Sequence, residues 1–120
     1  MKNEAKSQKD ETIKIALRAD LADRFDREGT GYLARFEKRK GKAAVEKYRE
    51  AQRLVRESVD PAIREAVREI ASRSLMLKQL NDEQLSRVAR ESSALDRELA
   101  LRELMFSRGV SAHRIIEIGS

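Results

Sequence analysis

The stretch "TIKIALRADLADRFDREGTGYLARFEKRKGK", residues 12–42, decides how the fold of this chain is predicted. Its start alternates, so that Ile13, Ile15 and Leu17 would share one face of a β-strand. Apolar residues also recur at every fourth position, which is typical of one side of a helix. Both alternatives, a short strand and the first turns of one long helix, stay open. The residues spaced four apart are Ile13, Leu17, Leu21 and Phe25.

The composition of the chain favours helices. Its 120 residues suffice for one domain with its own core. Hydrophobic residues make up 40% and charged residues 39%, whereas aromatic residues make up only 4%. Such a chain packs helices through Leu, Ile, Val and Ala more readily than it builds a β-sandwich. We therefore expect a mainly α protein.

The composition also excludes several classes of protein. The chain has no Cys, so it has neither disulfides nor thiolate metal sites. The N-terminal sequence "MKNEAKSQKDE" lacks the apolar segment of a secretory signal. No run approaches the roughly 18 apolar residues that a membrane span needs. We expect a soluble, cytoplasmic protein with no membrane partner.

Helix boundary signals are clearest after residue 42. "Asp60-Pro61" is a helix-start pair, Asn81 and Gln84 match a capping box, and Gly109 fits a C-terminal stop. These signals predict an elongated bundle of three longer helices of about 16, 20 and 27 residues. Helices of unequal length with narrow apolar stripes often bury them against a second copy as well as each other. We expect a homo-oligomer, most simply a dimer.

The residues needed for chemistry are scarce. His113 is the only histidine, whereas a transition-metal site needs several converging ligands. "Gly-Thr-Gly" at residues 29–31 lacks the length and the lysine of a phosphate-binding P-loop. No serine lies in a recognisable nucleophile turn. The sequence therefore predicts no catalytic residue, no metal, no cofactor and no enzyme activity.

Positive charge is concentrated in the first third of the chain. Residues 1–42 hold twelve Lys and Arg against eight Asp and Glu, whereas residues 43–120 hold fourteen against thirteen. A basic patch of this kind binds phosphates or acidic groups, or it is simply a solvated face. Both explanations stay open. The excess is densest at Arg35, Lys38, Arg39, Lys40 and Lys42.

The chain divides into four predicted parts. Residues 1–11 form a flexible tail, 12–42 a basic segment, 43–109 a helical region for oligomerisation or partner binding, and 110–120 a C-terminal tail of unassigned structure. Within the basic segment, Asp20 is the predicted N-cap of a helix that ends near Glu28. Thr30 is the predicted cap of a second helix, which Gly41 weakens but need not end.

The basic segment resembles the ribbon-helix-helix DNA-binding family. The resemblance covers residues 12–42: a short strand, then "LRADLADRF", then a glycine-containing turn and a second helix. "GTGYLAR" is also similar to a Gly-x-Gly-Tyr-x-x-Arg sequence of some antitoxins in this family. The resemblance implies a dimer that reads the major groove with an antiparallel ribbon. It implies that Thr12, Lys14, Ala16 and Arg18 face the groove and that Thr30 and Tyr32 anchor phosphate.

Two functions are consistent with these features. The first is a small basic dimeric protein that binds duplex DNA without catalysis, as a repressor, antitoxin or accessory factor of plasmid conjugation. The second is a helical-bundle adaptor that binds a partner protein through its C-terminal helices, with the basic run as a solvated or docking face. An uninterrupted helix through residues 12–28 would favour the adaptor.

Overall fold

The computed structural model describes residues 2–111, 113 and 114, with side chains from Asp10 onward. All regular structure in this part of the chain is helical, which confirms the mainly α prediction. None of the helices found there has the length and apolar character needed to cross a membrane. The elements are α1 (Lys2–Arg27), α2 (Thr30–Lys40), α3 (Lys42–Glu57), α4 (Pro61–Lys78), α5 (Asp82–Glu91), α6 (Ala94–Arg102) and a π-helical turn (Glu103–Ser107).

Residues 12–18 lie inside α1, so the strand alternative is wrong and the continuous-helix alternative is confirmed. Leu17, Leu21 and Phe25 are buried along one side of α1, as the spacing of four predicts. A helix pairs its backbone groups within itself, whereas a lone strand leaves them unpaired. The ribbon implied by the family resemblance is therefore absent from the described residues.

α1 also extends further than expected. It begins at Lys2, so residues 2–11 form its first turns and not a flexible tail. Met1 lies outside the described residues. Asp20 is not an N-cap but a buried residue within the helix, 3.6 Å from Nε of Arg24. No Gly or Pro interrupts residues 2–27, and most of them are good helix formers, so the local sequence permits one continuous helix.

Two glycines separate the first three helices. Gly29 has φ +86° and ends the chain's first helical run, as predicted for residues 29–31. The predicted Thr30 cap is wrong, because Gly29 is the N-cap of α2 and no side chain caps it. Gly41, with φ +91°, ends α2 instead of merely weakening it. Both glycines adopt a left-handed conformation that other residues avoid.

The later capping signals are confirmed. Oδ1 of Asp60 accepts a hydrogen bond from the backbone N–H of Ala62 at 3.0 Å. Asn81 and Gln84 form the reciprocal capping box at the start of α5. The predicted 27-residue helix is wrong, because the chain leaves helical conformation at Ser92 and Ser93 before α6 begins. Serine favours such helix ends because its hydroxyl competes for backbone hydrogen bonds. The described part of the chain therefore contains six α-helices, and not the bundle of three longer helices that we expected.

The helices enclose two clusters of buried residues. α1 packs against both α3 and α4, and α6 packs against α4 and α5. The apolar stripes of α1, α4 and α5 are therefore covered within a single chain, and the expected dimer stays a prediction. The first cluster includes Leu17, Ile70, Leu85, Leu99 and Leu104. The second cluster includes Leu21, Phe25, Tyr32, Phe36 and Phe106.

The helical run ends before Gly109, as expected, and this glycine has φ +69°. Val110 then packs against the first buried cluster. In the predicted C-terminal tail, the hydroxyl of Ser111 accepts a hydrogen bond from the backbone N–H of Arg114. Residues 112 and 115–120 lie outside the described residues.

Candidate partner-binding surface

The four residues predicted to face DNA from a strand do not share a face. Advancing by two residues rotates about 200° around a helix, so neighbours in this set point in nearly opposite directions. Ala16 is completely buried and cannot contact DNA. Arg18 is half-buried, with its guanidinium 5.8 Å from the ring centre of Tyr48. Lys14 is exposed and Thr12 is half-buried.

Tyr32 lies in the first turn of α2, but its side chain is not accessible to a phosphate. Its side chain is fully buried, with its ring 5.8 Å from that of Phe106. Its hydroxyl has no hydrogen-bond partner within the described structure, and burial raises the pKa of this hydroxyl. The side chain of Tyr32 therefore cannot contact a phosphate in this structure, and the phosphate-anchoring role of the helix start at Thr30 and Tyr32 stays a prediction. Thr30 is exposed at the start of α2.

The remaining predicted residues are exposed near the junction of α2 and α3. The side chain of Arg35 stabilises the fold, because its guanidinium donates hydrogen bonds to the carbonyl oxygens of Phe106 at 2.8 Å and Ser107 at 3.2 Å. The other four form no ion pair with any described residue. We call these four the basic surface: Lys38, Arg39, Lys40 and Lys42. Three of them lie in the last turn of α2, where the helix dipole also favours cations.

A second surface, on α4, was not identified from the sequence. Leu75 and Met76 are adjacent and are 64% and 69% exposed. The core-facing positions of α4 are already filled by Ile70 and Leu77, which are buried. In the sequence, this surface could have been recognised because Leu75 and Met76 are large apolar residues that the apolar stripe of α4 does not need. Exposed apolar surface that borders a cavity is a candidate binding site for a partner.

Met76 borders a cavity of about 510 Å³ between α4 and the α5–α6 region. Leu77 and Val88 contribute to its apolar wall. Arg73 lies in the same wall and donates to Asp96 at 2.8 Å and to Glu69 at 3.1 Å. One guanidinium thus faces two carboxylates, so the charged side chains that line this cavity leave one negative charge unbalanced and no free cation.

Leu75 lies on the other flank of α4, where two cavities follow each other on successive turns. The lower cavity, of about 290 Å³, lies between α3 and α4, and the upper one, of about 150 Å³, lies between α1 and α4. We call the two together the arginine groove. The lower half is lined by Val55, Arg56, Arg64, Val67 and Arg68. The upper half is lined by Asp20, Arg24, Arg27, Glu28, Ala71, Ser74, Leu75 and Lys78.

The lower half of the arginine groove keeps an excess of positive charge. Arg68 has no ion pair among the described residues, and Arg64 donates only to the backbone oxygen of Ser58, at 3.3 Å. Arg56 lies 3.9 Å from Oδ1 of Asp23, and both side chains are well exposed to water. An exposed pair at this distance binds weakly. Three guanidinium groups therefore remain available around the apolar floor.

The upper half of the groove is closer to neutral. Nζ of Lys78 donates to Oε1 of Glu28 at 2.6 Å, and this hydrogen bond lowers the pKa of Glu28. Asp20 is buried at the base of the groove, where desolvation raises its pKa. Side chains of both signs thus pair with one another here. The charge available to a ligand is concentrated at Arg56, Arg64 and Arg68.

No group of three or more His, Asp or Glu side chains in the described part converges as a metal site would require. Protein-family models, curated proteins and solved structures were all compared with this chain, and none of them matches it. The resemblance to the ribbon-helix-helix family therefore stays a prediction.

Proposed function

We propose that this protein is a helical-bundle adaptor that binds a partner protein and carries out no chemistry of its own. The observation that carries the proposal is the exposure of Leu75 and Met76, which lie on the two flanks of a helix whose core-facing side is already filled. Fully burying one such side chain contributes about 1.5–3 kcal/mol. A partner that covers both would therefore gain a substantial part of its binding free energy from them.

The conformation of α1 supports the same proposal. Residues 12–27 are one uninterrupted helix, which covers all but the last residue of the 12–28 helix expected of the adaptor. A major-groove ribbon needs these residues in extended conformation, so the adaptor is the better supported of the two functions. The cavities on both flanks of α4 give a partner concave surface beside Leu75 and Met76.

Photo-cross-linking in the cells that make the protein tests this proposal. A photoreactive amino acid is placed at Leu75 or Met76, and at the exposed Glu83 of α5 as the control position. We expect one and the same protein to be cross-linked from both α4 positions and not from Glu83. The identified partner, once purified, should bind at least tenfold more weakly to the Leu75→Ser, Met76→Ser variant, since tenfold corresponds to about 1.4 kcal/mol.

Two results would contradict the adaptor. Cross-links only to a second copy of this chain would assign the face to self-association, which is the expected homo-oligomer. The absence of any cross-linked protein at both α4 positions would leave Leu75 and Met76 without a binding role.

A second candidate function is binding of duplex DNA through the basic surface, because Lys38, Arg39, Lys40 and Lys42 are exposed and unpaired among the described residues. Such contacts would reach phosphates and not base edges. Four of them predict a log–log slope of affinity against salt of about −3.6. Replacing Lys38, Arg39 and Lys40 with Ala should weaken binding to all sequences alike, whereas Arg87→Ala with Arg90→Ala on α5 should change it little. Absence of binding at low salt would reject this candidate.

A further inference from the structure

We infer that the arginine groove binds an acidic amphipathic helix, an inference that rests on the proposed adaptor function and names the chemistry of the partner. The occupant is a segment with apolar residues on one side of a helix and Glu or Asp on either side of that stripe. The groove offers an apolar floor and a cationic rim, which are the two features that such a segment complements.

The shape of the groove fits a helix lying along α4. Arg64, Arg68, Ala71 and Leu75 are exposed and spaced by four, three and four, so they form one line on the flank of α4. From the first to the last, this line is about 16 Å long at 1.5 Å per residue. A docked helix of three turns has the same length. Amphipathic helices commonly bind grooves by placing side chains of successive turns into them.

The floor of the groove selects an apolar side chain over a phosphate. Val55 on α3 and Val67 on α4 are half-buried and both line the lower cavity of about 290 Å³. A valine floor offers no hydrogen-bond donor to a nucleic acid backbone. The floor also lies between two helices, where the flat surface of a membrane does not reach. Beyond the lower cavity, the apolar side chains of Ala71 and Leu75 line the upper cavity.

The rim of the groove selects acidic side chains. Arg56 lies on the α3 wall, and Arg64 and Arg68 lie on the α4 wall, so cations border the floor from both sides. An arginine binds a carboxylate through two parallel hydrogen bonds, which fixes its direction as well as its charge. Glu residues on both sides of an apolar stripe would face these guanidinium groups. Lys at the same positions would be repelled.

Selection from a displayed peptide library tests the inference directly. The library has Leu at positions spaced alternately three and four apart. Each of the remaining positions is Glu, Lys, Gln or Ala. It is selected on the immobilised full-length protein at 150 mM salt, a concentration chosen to suppress weak surface attraction. We expect Glu to be enriched at least tenfold over Lys at the positions that flank the leucine stripe.

The selected peptide then provides a charge-swap test by fluorescence anisotropy. We expect Arg64→Glu with Arg68→Glu to weaken its binding at least tenfold, and a peptide with Lys in place of the flanking Glu to recover binding to this variant. Arg87→Glu with Arg90→Glu on α5 is the matched control, since it changes the net charge equally at two other exposed arginines. This control should change the affinity less than twofold.

Several results would overturn the inference: no enriched helix, enrichment of Lys, equal losses from the two charge-reversed variants, or displacement of the peptide by an equal concentration of duplex DNA. Helices selected without a charge preference, but lost on Leu75→Ser, would overturn the acidic specificity and leave the adaptor role standing. Failure of the adaptor role is seen separately, as the absence of a cross-linked partner at Leu75 and Met76.

Discussion

Nη1 of Arg24 lies 3.1 Å from Oε2 of Glu103 and ties α1 to the π-helical turn across 79 residues of sequence. Both side chains are almost entirely buried. Arg24 also lies near the carboxylates of Asp20 and Glu28, whereas Glu103 is also 3.5 Å from Nε of Arg108. This buried network holds the π-helical turn against α1.

Replacing Arg24 with Met should be strongly destabilising. Removing one partner from a buried ion pair costs about 3–5 kcal/mol, because the remaining charge stays desolvated. Among the residues that the structure describes, Glu103 would then keep only Arg108 as an ion-pair partner. The free energy of unfolding in urea measures the loss. Arg53→Met, at an exposed pair with Glu50, is the control and should cost less than about 1 kcal/mol. Equal effects of the two substitutions would show that the buried pair adds nothing.

The pair between Glu28 and Lys78 predicts a dependence of stability on pH. The hydrogen bond from Lys78 lowers the pKa of Glu28 in the folded protein. Stability from this group is therefore present above its unfolded pKa and is lost as the pH falls through its folded pKa. We expect Glu28→Gln to cost about 0.5–1 kcal/mol at pH 7 and nothing measurable near pH 2–3.

Urea unfolding of both proteins between pH 2 and pH 7 measures this difference. Glu65→Gln, at an exposed position of α4 that has no ion pair within the described structure, is the control and should cost less at pH 7. A difference between wild type and Glu28→Gln that stays constant as the pH falls would contradict the prediction.

Tyr32→Phe should leave the protein as stable or make it more stable. The hydroxyl of Tyr32 is buried without a partner among the described residues, and such a group costs about 1–3 kcal/mol. Removing it retains the ring contact with Phe106. Ser86→Ala is a second test, since the Ser86 hydroxyl is in the same situation. Thermal and urea unfolding would contradict the prediction if Tyr32→Phe lowered stability by more than about 1 kcal/mol.

Substitutions on the exposed face of α4 should separate binding from folding. Leu75→Ser and Met76→Ser should each change the free energy of unfolding by less than about 0.5 kcal/mol, because the two side chains are mostly in water. Ile70→Ala on the buried face should cost about 2–5 kcal/mol. Urea unfolding compares the three variants. A large loss from Leu75→Ser would mean that this side chain supports the fold instead of a binding surface.

The parts of the fold that were predicted correctly depend on neighbours in sequence. Asp60 next to Pro61, and Asn81 three residues before Gln84, form their caps as expected. These contacts span two to three residues, so their geometry follows from the residue types alone. The same holds for the helical character of the chain, which its composition and the spacing of its apolar residues indicate.

The features that the sequence did not reveal concern residues whose surroundings come from distant parts of the chain. Tyr32 is placed on a helix correctly, but Phe106 determines that it is buried. Arg35 is exposed as expected, but its guanidinium is bound by the carbonyl oxygens of Phe106 and Ser107. The exposure of Leu75 and Met76 follows only from the packing of α4, in which Ile70 and Leu77 are the buried residues.

The sequence alone determined three features of this protein. They are the mainly helical class, the breaks between helices near Gly29 and Pro61, and the concentration of positive charge before residue 43. These depend on local backbone preferences and on composition. The tertiary structure alone decided between strand and helix at residues 12–18, since both patterns were present. It also decided which cations and apolar side chains remain exposed for a ligand. That depends on packing between helices far apart in sequence, which a local pattern does not contain.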